Sequence, residues 1–186
     1  MRGDSWYLIS LPVHILLVLF LQSPSHLPLE ILISVFVRVE GSINQTSPST
    51  GKMALSQLPF LHLAAHAFAT IFTSFGVNAI LRPAHALTFF EFSPPANAAD
   101  ARMVNSLMAV YGVRDIFMGL AIYAAALVGT NKSLGWTLVA SSGVAFADGL
   151  VCYAHGDGQW NHWGYAPVIT IVGSLLLGVF DRVKRK

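Results

Sequence analysis

The sequence predicts an all-α fold: a polytopic membrane four-helix bundle, with a possible extra hydrophobic segment at its N-terminus. Three observations point there. The chain is 54% hydrophobic and only 11% charged, against about 25% charged in an average soluble domain. Residues 53–81 and 158–180 carry no Asp, Glu, Lys or Arg at all. Two further apolar runs, 103–128 and 133–154, are broken only by Arg114, Asp115 and Asp148.

Crossing the hydrocarbon takes about 20 apolar residues in a helix. The first span falls near residues 59–81, and Arg82-Pro83 ends it because a proline disfavours helix in the residue before it. The connection 82–102 is rich in proline and aromatics. Its Phe89, Phe90 and Phe92 are expected in the interface, beside the loop that follows the third span. The second and third spans are the runs 103–128 and 133–154, joined by the short turn Gly129-Thr-Asn-Lys-Ser133. The last span is expected near 164–181. Residues 53–186 then form one four-span domain.

Basic residues orient the bundle. Lys132, Arg182, Lys184, Arg185 and Lys186 share one side of a four-span protein, and Arg82 and Arg102 lie on the other. The excess predicts a cytosolic C-terminus. An endomembrane, such as the endoplasmic reticulum, is the expected location. Residues 1–52 stand apart: an apolar run at 6–21, then a polar linker rich in Gly, Ser and Pro at 41–51. A cleaved signal peptide conflicts with span parity and with the basic count. Two expectations survive: an extra anchor, or a gene-model extension ahead of a true start at Met53.

Composition also excludes functions. A net charge of +2, without a basic strip interleaved with aromatics, excludes nucleic-acid binding. One cysteine, Cys152, excludes an intrachain disulfide and a multi-cysteine zinc site. No phosphate-cradling glycine loop, nucleophile elbow or dinucleotide fingerprint is present. No cofactor or metal is expected. The partners expected are the lipid bilayer and a small lipophilic molecule, with a homo-oligomer open.

Helical spacing groups the polar residues into stripes. His62, His66, Thr70 and Thr73 share a face of the first span, and Asn105, Met108, Gly112, Asp115 and Gly119 share one of the second. Ser141, Ala145, Asp148 and Cys152 share a face of the third. Small residues let helices approach closely in lipid and polar ones hydrogen-bond across the gap, so these stripes should face one another. An Asp at the centre of a span costs about 2.5–3.5 kcal/mol on insertion scales. Arg114, Asp115 and Asp148 must therefore be paired, hydrated or neutralised. Adjacent helix positions do not face each other, so Arg114 is expected to pair with Asp148 rather than Asp115, and Asp115 to accept from Tyr111. His62 and His66, four apart, fit hydrogen bonding better than metal or haem ligation.

The loop His155-Gly-Asp-Gly-Gln-Trp-Asn-His-Trp-Gly-Tyr165 sets two histidines, an Asp and three aromatics between two long apolar segments. Asp148, His155, Asp157 and His162 could converge there for acid–base work beside a low-dielectric wall. Their spacing fits no metal signature. Trp160, Trp163 and Tyr165 fit an interfacial aromatic belt or the entry of a lipophilic substrate.

Four motifs in order, Phe75-Gly-Val-Asn-Ala-Ile-Leu-Arg-Pro83, Tyr111-Gly-Val-Arg-Asp-Ile-Phe-Met-Gly119, Ala147-Asp-Gly149 and Trp160-Asn-His-Trp-Gly-Tyr-Ala-Pro167, resemble a family of small fungal integral membrane proteins catalogued as a domain of unknown function. That family is distantly akin to DoxX-like four-helix membrane proteins. The resemblance covers about residues 55–181. It implies a four-span membrane protein, with no particular reaction, and marks Asn78, Arg82, Arg114, Asp115, Asp148, Gly149, Trp160, His162 and Trp163.

The functional expectation is a small integral membrane protein of undetermined biochemical role, with an Arg/Asp/His cluster inside the bundle. Two mechanisms compete beneath it. A membrane-embedded isomerase, cyclase or hydrolase would use Asp148, Asp115 and His162 as acid–base groups and Arg114 as a clamp, with Asn78, Arg82, His155, Trp160 and Trp163 binding substrate. A non-catalytic accessory or scaffold subunit would use the same network for stability. A transporter ranks third, because four spans enclose little volume.

Overall fold

The structure, a computed structural model, describes residues 54–181. The N-terminal apolar run, the polar linker and the basic tail at 182–186 lie outside the described residues.

The described residues form helices joined by turns and short irregular segments, with no strand among them. A 3-10 turn at Leu55–Gln57 leads into α1, Pro59–Leu81, which begins on a proline with no backbone N–H to leave unsatisfied. After the break at Arg82 comes α2, Pro83–Leu87, and a second 3-10 turn at Thr88–Phe90. Helix α3, Ala98–Val128, is capped by Asn97, whose side chain accepts from Ala99 N at 2.8 Å, and carries Asp100 in its first turn. Thr130 and Ser133 form a reciprocal capping box that starts α4, Asn131–His155. The turn expected over 129–133 is therefore only Gly129-Thr130. Helix α5 is the single turn Trp160–Trp163, and α6 is Ala166–Leu176.

Three helices, α1, α3 and α4, are long and apolar enough to cross a membrane. The fourth is not of that length. Helix α6 has 11 residues, about 16 Å at 1.5 Å per residue. The span expected over 164–181 is divided: Gly164 and Tyr165 separate α5 from α6, and residues 177–180 relax into turns that include Gly178, whose φ is +78°.

Helix α1 packs chiefly on α3, and α4 chiefly on α6. Both pairings depend on glycine. A Cβ at Gly76 would come within 2.7 Å of Ile116 Cγ1, and one at Gly112 within 2.5 Å of Gly76 O. Gly135 and Gly173 face each other in the same way across α4 and α6. In lipid no hydrophobic effect drives helices together, so close van der Waals approach takes its place. One core cluster joins the two pairs through Leu61, Phe72, Ile122, Leu138, Ile169 and Leu176. The outer faces carry Val110, Val113, Phe117, Leu120, Leu150 and Ile171, all exposed, as lipid contact requires.

The polar stripes point inward with one exception. Met108, Gly112, Asp115 and Gly119 are buried, but Asn105 is exposed, because α3 continues past the end of α1 there. Not every polar group bridges helices. Thr73 and Ser74 return their hydroxyls to Ala69 O and Thr70 O, four residues back, which satisfies them without a partner helix. Thr70 with Tyr123, and Thr170 with Ser142, do cross between helices.

The two ends of the bundle differ. At one end, which we call the clasp end, His62 Nε2 meets Asn131 Oδ1 at 2.9 Å, Asn131 donates to Ser56 O at 2.6 Å, and the Ser56 hydroxyl donates to Asp181 at 2.6 Å. At the other, the roofed end, the connection after α1 and the loop after α4 interlock. Asn161 donates to Phe89 O at 3.1 Å, and a Cβ at Gly158 would fall within 2.7 Å of the Phe90 carbonyl carbon. Phe90 is thereby buried beneath the roof, with Phe92 partly buried against it.

Candidate functional site

The charged residues of the spans meet beneath the roofed end. Arg114 on α3 makes a bidentate pair with Asp148 on α4, Nη1 to Oδ1 at 2.9 Å and Nη2 to Oδ2 at 2.8 Å. This is the interhelical pair expected from the insertion cost. The same guanidinium also turns back on its neighbour: Nε and Nη2 reach Asp115 Oδ1 at 3.2 and 3.0 Å. The expectation that adjacent positions cannot pair is thus corrected. That spacing rule describes Cβ directions, and the long Arg stem bends around the helix to overcome it. Tyr111, one turn earlier, lies under the guanidinium at 4.2 Å from its ring centroid.

Burial grades across this group. The Asp115 side chain is 2% exposed, Asp148 14% and Arg114 35%. Two carboxylates face one guanidinium, which leaves one negative charge over. An uncompensated charge in a low-dielectric interior is expensive, and the more buried Asp115 bears most of that cost.

Beside the network lies a small pocket lined by Phe75, Ala86, Phe89, Tyr111, Asn161, His162 and Tyr165, with room for little more than a water molecule. His162 is 3% exposed. Its ring packs on Phe90 at 4.9 Å, its Nδ1 lies 3.5 Å from the Tyr165 hydroxyl, and its Nε2 has no partner. Burial pushes its pKa below the ordinary value; Asp148 opposes that shift and Arg114 adds to it. Asn78, three residues after Phe75, is also buried, with Oδ1 at 3.1 Å from His85 Nδ1 and Nδ2 unpartnered. Burial, and then the charge of Arg82, lower the pKa of His85.

The remaining candidates lie apart. His155 is exposed and packs on Phe92 with ring centroids 4.3 Å apart. Asp157 is exposed on the loop, and Trp160 is 72% exposed. Trp163 seals a different contact: its indole lies on Gly149, stacks on Tyr153 and donates to Phe146 O at 3.1 Å. Arg82 is exposed at the break between α1 and α2. The convergence of Asp148, His155, Asp157 and His162 therefore does not form. Gly156 and Gly158, at φ +130° and +88°, swing the chain so that His162 turns inward while His155 and Asp157 stay outside. Among the described residues, no group of three or more His, Cys, Asp and Glu side chains is placed to hold a metal ion.

Two members of the site were not singled out from sequence: Asn161, and Tyr111 as a pocket wall. Tyr165, expected in an aromatic belt or at a substrate entry, lines the pocket.

Fold and site together have the make-up of an integral membrane protein: an all-α chain, three helices fit to cross a bilayer, and an internal ion-pair network sheathed in apolar side chains. The family model described as "Domain of unknown function (DUF4267)" matches residues 69–176, more than half the chain, and the chain belongs to that family. The match runs from the middle of α1 to the end of α6, so the network and the pocket both fall within it. No curated protein and no solved structure matches the chain.

Proposed function

We propose that the protein crosses its membrane four times and carries an acid–base site for a lipophilic molecule at the roofed end. The observation that carries the chemistry is the surplus carboxylate. A lock between α3 and α4 needs one guanidinium and one carboxylate, and Asp148 already supplies the latter in bidentate form. Asp115 adds a second, almost fully buried carboxyl on the same helix as Tyr111, which lines the pocket. In this reading Asp115 is the proton donor, neutral His162 hydrogen-bonds the substrate oxygen through Nε2, and Arg114 is a positioning residue whose hydrogen bonds go to the carboxylates. Such a pair suits isomerisation or cyclisation of a lipid-soluble substrate.

The fourth crossing is supported by position. Ala166 follows the roofed end, whereas Asp181 is tied to Ser56 at the clasp end. The chain thus traverses the bundle between them, with turns completing what α6 begins. A cytosolic clasp end, in the endoplasmic reticulum, accords with the basic residues at Lys132 and 182–186. Kinship with DoxX-like proteins, and a fungal setting, rest on the four motifs alone.

A second reading, a non-catalytic accessory or scaffold subunit, is favoured by the same guanidinium. It is committed to two carboxylates, and the pocket is small. Lipid extracts of cells expressing wild type, Asp115→Asn or Asp148→Asn separate the two. An enzyme gives a product profile that disappears in a folded Asp115→Asn protein; unchanged profiles for all three proteins would leave the scaffold reading standing.

A further inference from the structure

All three buried side-chain atoms that lack a partner among the described residues, Asn78 Nδ2, Gln159 Oε1 and His162 Nε2, belong to the roofed end. Buried polar atoms are almost always satisfied, and the one of the three that belongs to a pocket-lining residue is His162 Nε2. Where the Tyr165 hydroxyl donates toward Nδ1, 3.5 Å away, the neutral ring carries its proton on Nε2 and offers a donor there; the reverse direction leaves Nε2 an acceptor.

Asn161 spends its amide nitrogen on Phe89 O and Glu91 Oε1. His162 Nε2 is left among the rings of Phe75, Phe89, Tyr111 and Tyr165, with Asn161 Oδ1 and the tyrosine hydroxyls as the other side-chain polar atoms of the slot. No Lys or Arg lines the slot, so nothing there recognises an anion.

We propose that this slot binds a neutral, carbonyl-bearing aromatic or flat apolar molecule, its oxygen accepting from His162 Nε2 and its body lying among Phe75, Phe89 and Tyr165. The inference rests on the roofed end being a binding site, and it names the ligand class for that site. Entry requires the side chains of the roof to part, since the closed slot is small.

The test is equilibrium binding of 2-acetylnaphthalene and 2-ethylnaphthalene to the full chain in detergent micelles. The two probes share shape and differ in the carbonyl, and non-specific partition into micelles is measured with empty micelles and subtracted. Wild type should bind the acetyl compound roughly tenfold or more tightly than the ethyl one, because only the former satisfies the buried donor. His162→Phe keeps a ring against Phe90 and should erase the preference. His162→Gln, with an amide donor of similar reach, should keep part of it, and answers the question if the Phe variant does not fold. Equal affinities in wild type, a preference surviving His162→Phe, or an absence of saturable binding would each overturn the proposal. Asp115→Asn should leave the preference intact. Loss of product there with binding retained bears on the acid–base reading alone, whereas loss of the preference in wild type strikes the ligand inference alone.

Discussion

Arg114 shows how one side chain can carry two structural duties. Its bidentate pair closes α3 onto α4, and its bent stem holds a second acid from the same helix. The pairing was legible in the sequence because an isolated intramembrane charge costs too much to leave unpaired. The contact with Asp115 was not, because it depends on a rotamer. Arg114→Ala and Asp148→Ala should each destabilise the purified protein, and the double variant should lose less than the sum. The expected coupling in thermal unfolding is about 1–2 kcal/mol; strict additivity would remove the pair from the account. A second residue-scale prediction concerns pH. Because burial lowers the pKa of His162, the unfolded chain takes up a proton before the native one as pH falls. Stability is therefore intact above the ordinary histidine value of 6.5 and declines as pH drops below it toward the lowered native value. His85 acts with the same sign. Removing both rings, as His85→Gln with His162→Gln, should flatten that acid limb in a melting-temperature series. At the clasp end Asp181 behaves differently in range though not in sign. Hydrogen bonds from Ser56 hold its carboxyl below the usual carboxylate value, so its contribution is present above that value and is lost at more acidic pH.

At the scale of helices, glycine sets the distances. The α1–α3 seam places Gly76 against Gly112, and Gly119 against Thr73 and Ala69 O. Gly112→Val should force the pair apart and cost about 1–3 kcal/mol or more, read as lost monodisperse protein in size-exclusion chromatography. Gly149 is a more selective test. A side chain there would meet the Trp163 indole, 3.0 Å from Cε2. Gly149→Leu should displace Trp163, shift its fluorescence toward that of an exposed indole and break its bond to Phe146 O, with the α1–α3 seam unaffected. The sequence marked these glycines as small residues on polar stripes. It could not say which glycine faces which, because that register is set by two helices at once.

For the whole molecule, the clasp between Ser56 and Asp181 brings the two ends of residues 54–181 to the same end of the bundle. Four crossings follow if that end faces one compartment. Cys152 is buried, so single cysteines introduced at Lys132 and Asp157 can be labelled in intact vesicles without background. A membrane-impermeant maleimide should modify one site from outside and the other only after permeabilisation. Labelling of both from one side would contradict the reading of α4 as a span. A tag after Lys186 should behave like the Lys132 site; if it behaves like Asp157, α6 turns back without crossing.

The amino-acid order by itself determined the helical class, the positions of three spans to within a few residues, and the need for Arg114 and Asp148 to meet. Each follows from local quantities, namely run length, charge spacing and the cost of a charge in hydrocarbon. Tertiary structure alone decided the rest: the divided last helix, the inward turn of His162 away from His155 and Asp157, and the clasp from Ser56 to Asp181. Those features join residues distant in sequence or depend on the left-handed backbone of two glycines. Neither a periodicity nor a motif encodes a contact whose energy exists only once both partners have been brought together.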